Sequence, residues 1–335
     1  MHIRLITPAG QNSRAGNRAT AERWSALLCQ LGHRVDVSVD YDDQAADMMI
    51  ALHAWRSAAA ITAFDARYPD RPLIVVLTGT DIYKFQHSHP DVTLASMARA
   101  DALIALHERV GQDIPAQYRP RLHLVLQSAK PLAQRLPPVQ SHFDVCVVGH
   151  LRAEKDSLRA ALAVRDLPPE SRLRVIQAGK AHDTHWHALA DQELRTNPRY
   201  RWRGEISRTD VRRLMARCRL MVMSSMMEGG ANAISEACVA GLPVIASRIP
   251  GNIGLLGADY PGYYPAGDTG ALRALLLRAE RDPDFVETLR RHCLARAPLF
   301  QPEAERASLA RVIGAVTATT GVDERPSGGP CDIRG

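Results

Sequence analysis

Two glutamates near the C-terminal side of the chain carry most of the chemistry that the sequence offers. In EGGANAISEACVAGLPVIAS (228–247), Glu228 and Glu236 are separated by seven residues, behind a Gly-Gly pair and ahead of a strand-like PVIAS. A carboxylate accepts paired hydrogen bonds from vicinal hydroxyls, the pattern that sugars and ribose present. The apolar run MVMSS (221–225) suits a buried strand, Met226 to Gly230 read as a glycine-softened turn, and the chain turns helical from Ala231. Gly229, Gly230, Ala231 and Asn232 then stand at or just before a helix N-terminus. Its unpaired N–H groups and positive dipole end suit a sugar or phosphate oxygen. Glu236 falls about one turn into the helix, so the two carboxylates flank one small concavity. A lone pair of glutamates at this spacing also fits a strand end and a wet helix face; the complete string is the more specific signal.

Other polar residues of interest follow strand-like segments. After HIRLITP comes PAGQNSRAGNRATAERW, where Arg14 and Arg18 with the backbone amides of Gly16 and Asn17 form a candidate nest for a small anion. After LIVVL comes Thr78-Gly79-Thr80-Asp81, with Asp81 placed to cap a helix. After FDVCVV comes GHLRAEKD (149–156), which sets the cations Arg152 and Lys155 beside His150. His107 follows the strand-like LIAL, a position open to function or to a satisfied core histidine. His87 and His89 lie in a polar loop before Pro90. His182, His185 and His187 form an H-x2-H-x-H cluster with no matching Cys or carboxylate set, which reads as a surface cluster, so no metal site is expected.

The elements that must position these residues alternate regularly. HIRLITP, a helix from about Ala19 to Leu31, RVDVSV, DMMIAL, a helix through Ile61, PLIVVLTG and DALIAL make one series. FDVCVVGHL, RLRVIQAG, YRWRGEI, RLMVMSS and LPVIAS, with helices between, make a second. Repeated strand–helix units imply parallel sheets covered on both faces, and two series imply two domains of an α/β protein. The boundary falls in LPPVQSH (136–142), giving an N-terminal domain over 1–140, a C-terminal domain over 141–320 and a loose tail over 321–335. In doubly wound domains ligands bind at the carboxyl ends of the strands, where the residues named above cluster.

Composition narrows the class. The 335 residues, 46% of them hydrophobic, are ample for two cores. No apolar run approaches the ~18 residues that span a bilayer, and the start is too short for a signal peptide, so a cytoplasmic protein is expected. The six cysteines (29, 146, 218, 238, 293, 331) lack CxxC pairing and are expected to be reduced and mostly buried. The net charge of +6 is spread evenly: residues 1–140 hold 15 basic against 13 acidic residues, leaving 27 against 23. Neither part has the one-sided basic helix of a membrane-docking or nucleic-acid-binding surface. The arginine run from Arg199 to Arg219 reads as the solvated face of a strand and the following helix.

The EGGANAISEA segment resembles the donor-binding segment of the retaining glycosyltransferase family four, enzymes of the GT-B fold with two Rossmann-like parallel-sheet domains facing a cleft. The resemblance implies that Glu228 contacts the donor sugar, Glu236 the ribose hydroxyls, and the amides of residues 230–232 the sugar. GHLRAEKD resembles the family's diphosphate clamp: Lys155 matches its lysine, His150 stands where an arginine is usual, and Arg152 is implied as the replacement guanidinium. Two such cations stabilise charge on a departing nucleotide without a metal or other cofactor. Gly179 and the Gly204-Glu205-Ile206 stretch match places where relatives lay backbone against the base. The loop through Gly16, Asn17 and Arg18 resembles the family's glycine-rich acceptor loop, with Thr78 and Asp81 on the same side; Thr78 departs from the histidine usual before that glycine. NRATAERW, TGTDIY, LQSAKP, NPRYRWRGE and RIPGNIGLLGADYPGYYPAGD together are similar to the selenosugar synthases of the selenoneine pathway, a subgroup of the family. That likeness implies a UDP-sugar donor, UDP-N-acetylglucosamine or UDP-glucose, selenophosphate as acceptor and a new anomeric carbon–selenium bond. Two other classes stay open: a transferase for a conventional hydroxyl or lipid acceptor, decided by vesicle co-sedimentation, and a nucleotide-sugar-binding protein without turnover, decided by a turnover assay.

Overall fold

The computed structural model describes residues 1–320 apart from Ala133 and Arg135; the expected loose tail lies outside the described residues. By internal contacts the chain divides into two units, Met1–Gln127 with the segment from Pro302, and Ser128–Gln301.

The first unit is built on a parallel six-stranded sheet of β1 (His2–Ile6), β2 (Arg34–Ser38), β3 (Met48–Leu52), β4 (Leu73–Leu77), β5 (Ala102–Ala105) and β6 (Leu122–Leu124), in the order β2-β1-β3-β4-β5-β6. MMIAL and LIVVL are buried along their whole length, as central strands covered on both faces must be. Alternate side chains feed two cores. Met48, Ile50 and Leu52 join Trp24 and Leu28 of the helix Gly16–Gln30, whereas Met49 and Ala51 join Ile61 and Phe64 of the helix Ala58–Arg67.

The C-terminal helix Pro302–Thr320 belongs to this unit, not to the one after the linker, which corrects the expected 141–320 domain. Leu309, Val312, Ile313 and Val316 enter the Trp24 core, and buried Glu305 accepts from Trp24 Nε1 at 2.6 Å and Arg23 Nε at 2.8 Å. A partner 281 positions away in sequence lies beyond the reach of local pattern.

The second unit repeats the architecture with β7 (Phe143–Val148), β8 (Leu173–Ala178), β9 (Tyr200–Trp202), β10 (Leu220–Met223), β11 (Val244–Ser247) and β12 (Tyr263–Tyr264), in the order β12-β11-β10-β7-β8-β9. The three-residue β6 and two-residue β12 are edge strands too short to show as periodic runs. In each sheet the winding reverses once, between β1 and β3 in the first and between β7 and β10 in the second. The loops after those four strands therefore flank the two switch-point crevices.

Cys146, Cys218, Cys238 and Cys293 carry free, buried thiols as expected, whereas Cys29 is disulfide-bonded, against the expectation, and Cys331 lies outside the described residues. No helix among the described residues is long and apolar enough to cross a membrane.

Candidate active site

At the β7/β10 switch point one of the sequence-predicted cations, Lys155, and one of the carboxylates, Glu228, come together. Beyond β7 the chain passes Gly149, at φ +153°, and forms a short turn of helix, Ala153–Lys155, ended by Asp156 in the left-handed region at φ +44°. Ser224 Oγ, just past β10, donates to the carbonyls of Lys155 and Asp156, each at 3.0 Å, and Met226 N–H donates to Glu154 O at 2.9 Å. These bonds stitch the two loops into one surface. On it Lys155 Nζ forms an ion pair with Glu228 Oε1, which also accepts from Ser225 Oγ. Glu228 is buried and Lys155 about one-fifth exposed, so this charged pair stands in a poorly hydrated place.

A second chain of bonds supports Glu228 from below. Asn252 Nδ2 donates to Ser247 O and Oγ at 2.9 and 3.0 Å, Ser247 Oγ donates to Ser225 O, and Ser225 Oγ reaches the carboxylate. Gly251 packs so closely that a Cβ there would stand 2.8 Å from Glu228 Cβ. None of these four supporting residues is singled out by sequence, because their roles depend on strands β10 and β11 lying side by side.

Arg152 is half-buried with its Nε atom buried and unpaired, and its amide donates to Ser157 Oγ at 3.1 Å. A buried guanidinium nitrogen without a partner is the kind of orphan that an anionic ligand satisfies. His150 accepts the Lys180 amide on Nδ1 at 3.2 Å, which ties the clamp loop to the segment after β8. There Gly179 lies against Gly149: a Cβ on Gly179 would overlap the Gly149 carbonyl, so only glycine fits. Gly179 O accepts from Trp202 Nε1 at 2.8 Å and its N–H donates to Gly204 O at 2.8 Å, close in sequence to half-buried Ile206.

The helix Asn232–Val239 begins one residue later than the pattern suggests, with Ala231 as an N-cap that offers no side chain to its amides. Gly229 and Ala231 are buried and Gly230 half-buried; Asn232 Oδ1 and Ser235 Oγ are buried without partners, and Glu236 is half-buried on the same helix. The loop after β10 and this helix thus carry both glutamates, as the spacing predicts.

In the first unit the expected acceptor residues divide. Gly16, Asn17 and Arg18 form the first turn of the helix Gly16–Gln30, whose N-cap, Ala15, likewise lacks a capping side chain. Arg18 Nε is held by Glu22 of its own helix at 3.0 Å, and Arg14 is exposed. Thr78 is half-buried. Asp81, expected on the acceptor, is instead wholly buried and accepts the amides of Ala54, Thr78, Gly79 and Ile82 at 2.7–3.2 Å. A carboxylate so occupied shapes the strand ends and has no lone pair turned to a ligand.

Sequence reading passed over His53, directly after β3, although the positional rule that marked His107 applies to it equally. His53 is buried, adopts φ +79°, and places Nε2 2.9 Å from Thr80 Oγ1. Burial pushes its pKa below the usual histidine value, against the opposing pull of Asp81. His107, by contrast, is a satisfied core residue: Nδ1 accepts the Arg109 amide at 3.2 Å and Nε2 lies 3.0 Å from the Tyr83 hydroxyl, which donates to Asp113. His187 pairs with Asp191 at 3.0 Å on the surface, and no group of three metal-ligating side chains occurs among the described residues. Arg199, Arg201 and Arg212 of the arginine run donate to backbone carbonyls instead of standing free in solvent.

Residues 130–296 match the family model of the glycosyl transferases group 1. The chain carries a glycosyltransferase domain of that group. Solved structures similar in fold include Anabaena HepE in complex with UDP-glucose (16% identity, TM-score 0.76, covering 94% of this chain and 100% of that one). Sucrose-phosphate synthase from Thermosynechococcus elongatus is similar over 95% of this chain and 99% of its own, at 16% identity and TM-score 0.74. The lipopolysaccharide outer core galactosyltransferase WaaB in its apo form matches at 13% identity and TM-score 0.65, over 94% and 99% of the two chains. No curated protein matches the sequence. With its two six-stranded parallel sheets the glycosyltransferase has the GT-B fold, as the sequence resemblance implied.

Proposed function

We propose that this glycosyltransferase takes a UDP-sugar, UDP-N-acetylglucosamine or UDP-glucose, and transfers the sugar to selenophosphate. The observation that carries the donor half is the meeting of Lys155 and Glu228 at the β7/β10 switch point, with the unpaired Nε of Arg152 close by in the same loop. A diphosphate arriving there takes Lys155 from Glu228 and gives Arg152 its missing partner. The freed carboxylate then accepts from sugar hydroxyls, and Glu236 accepts from the ribose. As the bond from the anomeric carbon to the diphosphate breaks, the charge grows on oxygens already facing two cations, so the reading needs no resident metal. The amides of residues 230–232 hold the sugar, and Gly179 and Ile206 adjoin the base. That HepE binds UDP-glucose on the same fold supports a nucleotide-sugar donor.

The acceptor half rests on the strings shared with the selenosugar synthases. The selenium of selenophosphate attacks the anomeric carbon, UDP leaves, and a carbon–selenium bond replaces the carbon–oxygen one. A small anion suits the uncapped first turn of the helix Gly16–Gln30 with Arg14, Asn17 and Arg18 around it. The reading includes a cytoplasmic enzyme with small-molecule partners and neither nucleic acid nor stable membrane association. Mass spectrometry of products from a panel of UDP-sugars with selenophosphate or thiophosphate tests it. A hexosyl adduct of the seleno or thio acid is expected; product formation only with a sugar alcohol or lipid leaves the donor half standing and removes the acceptor half.

A further inference from the structure

The neighbouring ends of β3 and β4 in the first unit hold a wired hydroxyl that the roles above do not use. His53, the first residue after β3, accepts the Arg56 amide on Nδ1 at 3.1 Å. A ring nitrogen that accepts carries no proton, so in the neutral imidazole the hydrogen sits on Nε2 and is donated to Thr80 Oγ1, 2.9 Å away. Thr80 has no second hydrogen-bond partner among the described residues and is half-buried, so its own hydroxyl hydrogen remains available to a ligand.

The surroundings hold this arrangement in one state. Asp81 fixes Ala54, Thr78 and Gly79 through their amides, and so sets the two strand ends that bear His53 and Thr80. Phe85 packs on His53 with ring centroids 5.7 Å apart, and Trp55 stacks on Phe85 at 4.0 Å and 3°. The left-handed backbone of His53 is a modest strain retained where it aims a side chain.

We infer that Thr80, oriented by His53, is a hydrogen-bond donor that holds the acceptor substrate, and that the group it holds offers it a lone pair. An oxyanion of the phosphate class fits that description. The inference rests on the proposed anionic acceptor and adds to it a named donor; Thr80 touches the substrate, and His53 is a positioning residue.

Three measurements test it on the full chain. Long-range proton–nitrogen NMR of the imidazoles is expected to show His53 neutral with the proton on Nε2 at pH 7; a proton on Nδ1, or an imidazolium, overturns the orientation. Thr80→Val keeps shape and removes the hydroxyl, and is expected to raise the KM for selenophosphate about tenfold with UDP affinity unchanged, whereas Thr80→Ser stays within about twofold of wild type. His53→Asn, which tolerates the left-handed backbone, is expected to raise the same KM while the melting temperature stays near wild type. A normal KM in Thr80→Val overturns the donor, and a normal KM in His53→Asn overturns the positioning role. If wild type gives no product with selenophosphate or thiophosphate, the acceptor reading fails separately. The Thr80 pair is then read with the acceptor that the product screen finds, and a KM for that acceptor unchanged by Thr80→Val overturns the inference.

Discussion

At the switch point of the second sheet a lysine and a glutamate meet in a poorly hydrated crevice; at the neighbouring ends of β3 and β4 in the first, a neutral histidine leans on a threonine above a carboxylate bonded only to backbone. Each unit is a parallel six-stranded sheet with one reversal of winding, but the strand order differs, with one strand beyond β1 in the first and two beyond β7 in the second. The difference lies in where charge is placed. Lys155 and Glu228 hold each other through side-chain atoms that a ligand can displace, whereas Asp81 spends its charge on four amides and leaves neutral groups at the surface. On the proposed function, a nucleotide diphosphate that must depart with extra charge needs mobile cations, while a small acceptor that must attack needs only to be held. On that reading one kind of parallel sheet carries an electrostatic clamp in one unit and a directed hydrogen bond in the other.

The largest effect that separates them comes from Lys155→Ala. Removing a cation from the charge that develops on the leaving group is expected to lower kcat by about 10²–10³, near the loss of one preorganised donor. Steady-state turnover with the UDP-sugar identified in the product screen measures it. A fall of less than tenfold would break the comparison, because the second crevice would then not work through its charges.

Asp81→Ala is the counterpart in the first unit. It strips a carboxylate from four buried amides, and the cost is expected to appear in stability, about 3 kcal/mol by denaturant unfolding, with UDP affinity intact. A variant as stable as wild type but unable to use acceptor would return Asp81 to the ligand-binding group in which the sequence reading put it. Between these sits a pair of glycines. Gly179→Ala drives a methyl into the Gly149 carbonyl and should cost about 1–3 kcal/mol, whereas Gly10→Ala, with nothing within 4 Å of the new atom, should stay within about 0.5 kcal/mol. Equal stability of the two would mean that the Gly149–Gly179 crossing relaxes freely.

The same contrast explains what the sequence made legible. Strands such as MMIAL and LIVVL announce themselves as unbroken apolar runs, and the seven-residue gap between Glu228 and Glu236 is local, so the fold and the placing of both glutamates about one helix start were legible in the sequence. Glu305 could not, since the Trp24 and Arg23 it satisfies lie about 280 residues upstream. Gly251 and Asn252 look like turn residues until β11 is laid beside β10. Asp81 was seen as a polar residue after a strand, but whether such a residue faces ligand or backbone is decided by the turn it closes. His53 was missed for the converse reason: a histidine after an apolar strand reads as core until its left-handed backbone and its Thr80 partner are seen.

The smallest effect is a pH dependence confined to the first unit. Burial lowers the His53 pKa below its unfolded value of about 6.5, with Asp81, 4.0 Å from Nδ1, opposing the shift and Arg56 adding to it. Above about pH 6.5 the imidazole is neutral both folded and unfolded and contributes nothing to the pH dependence. Below it the unfolded chain takes up a proton that the folded one refuses, so stability falls with falling pH until the folded pKa is reached. The slope from this one group is at most about 1.4 kcal/mol per pH unit. In His53→Asn that part of the acid sensitivity should vanish, so the stability difference between wild type and variant should shift between pH 7 and pH 5 in the variant's favour. Lys155 and Glu228 supply the control, because Lys155→Ala should leave the His53 contribution in place. A His53→Asn protein whose unfolding free energy tracks wild type throughout that range would show that His53 takes up its proton equally in the folded and unfolded chain, and the contrast between a charged crevice and a neutral one would fail.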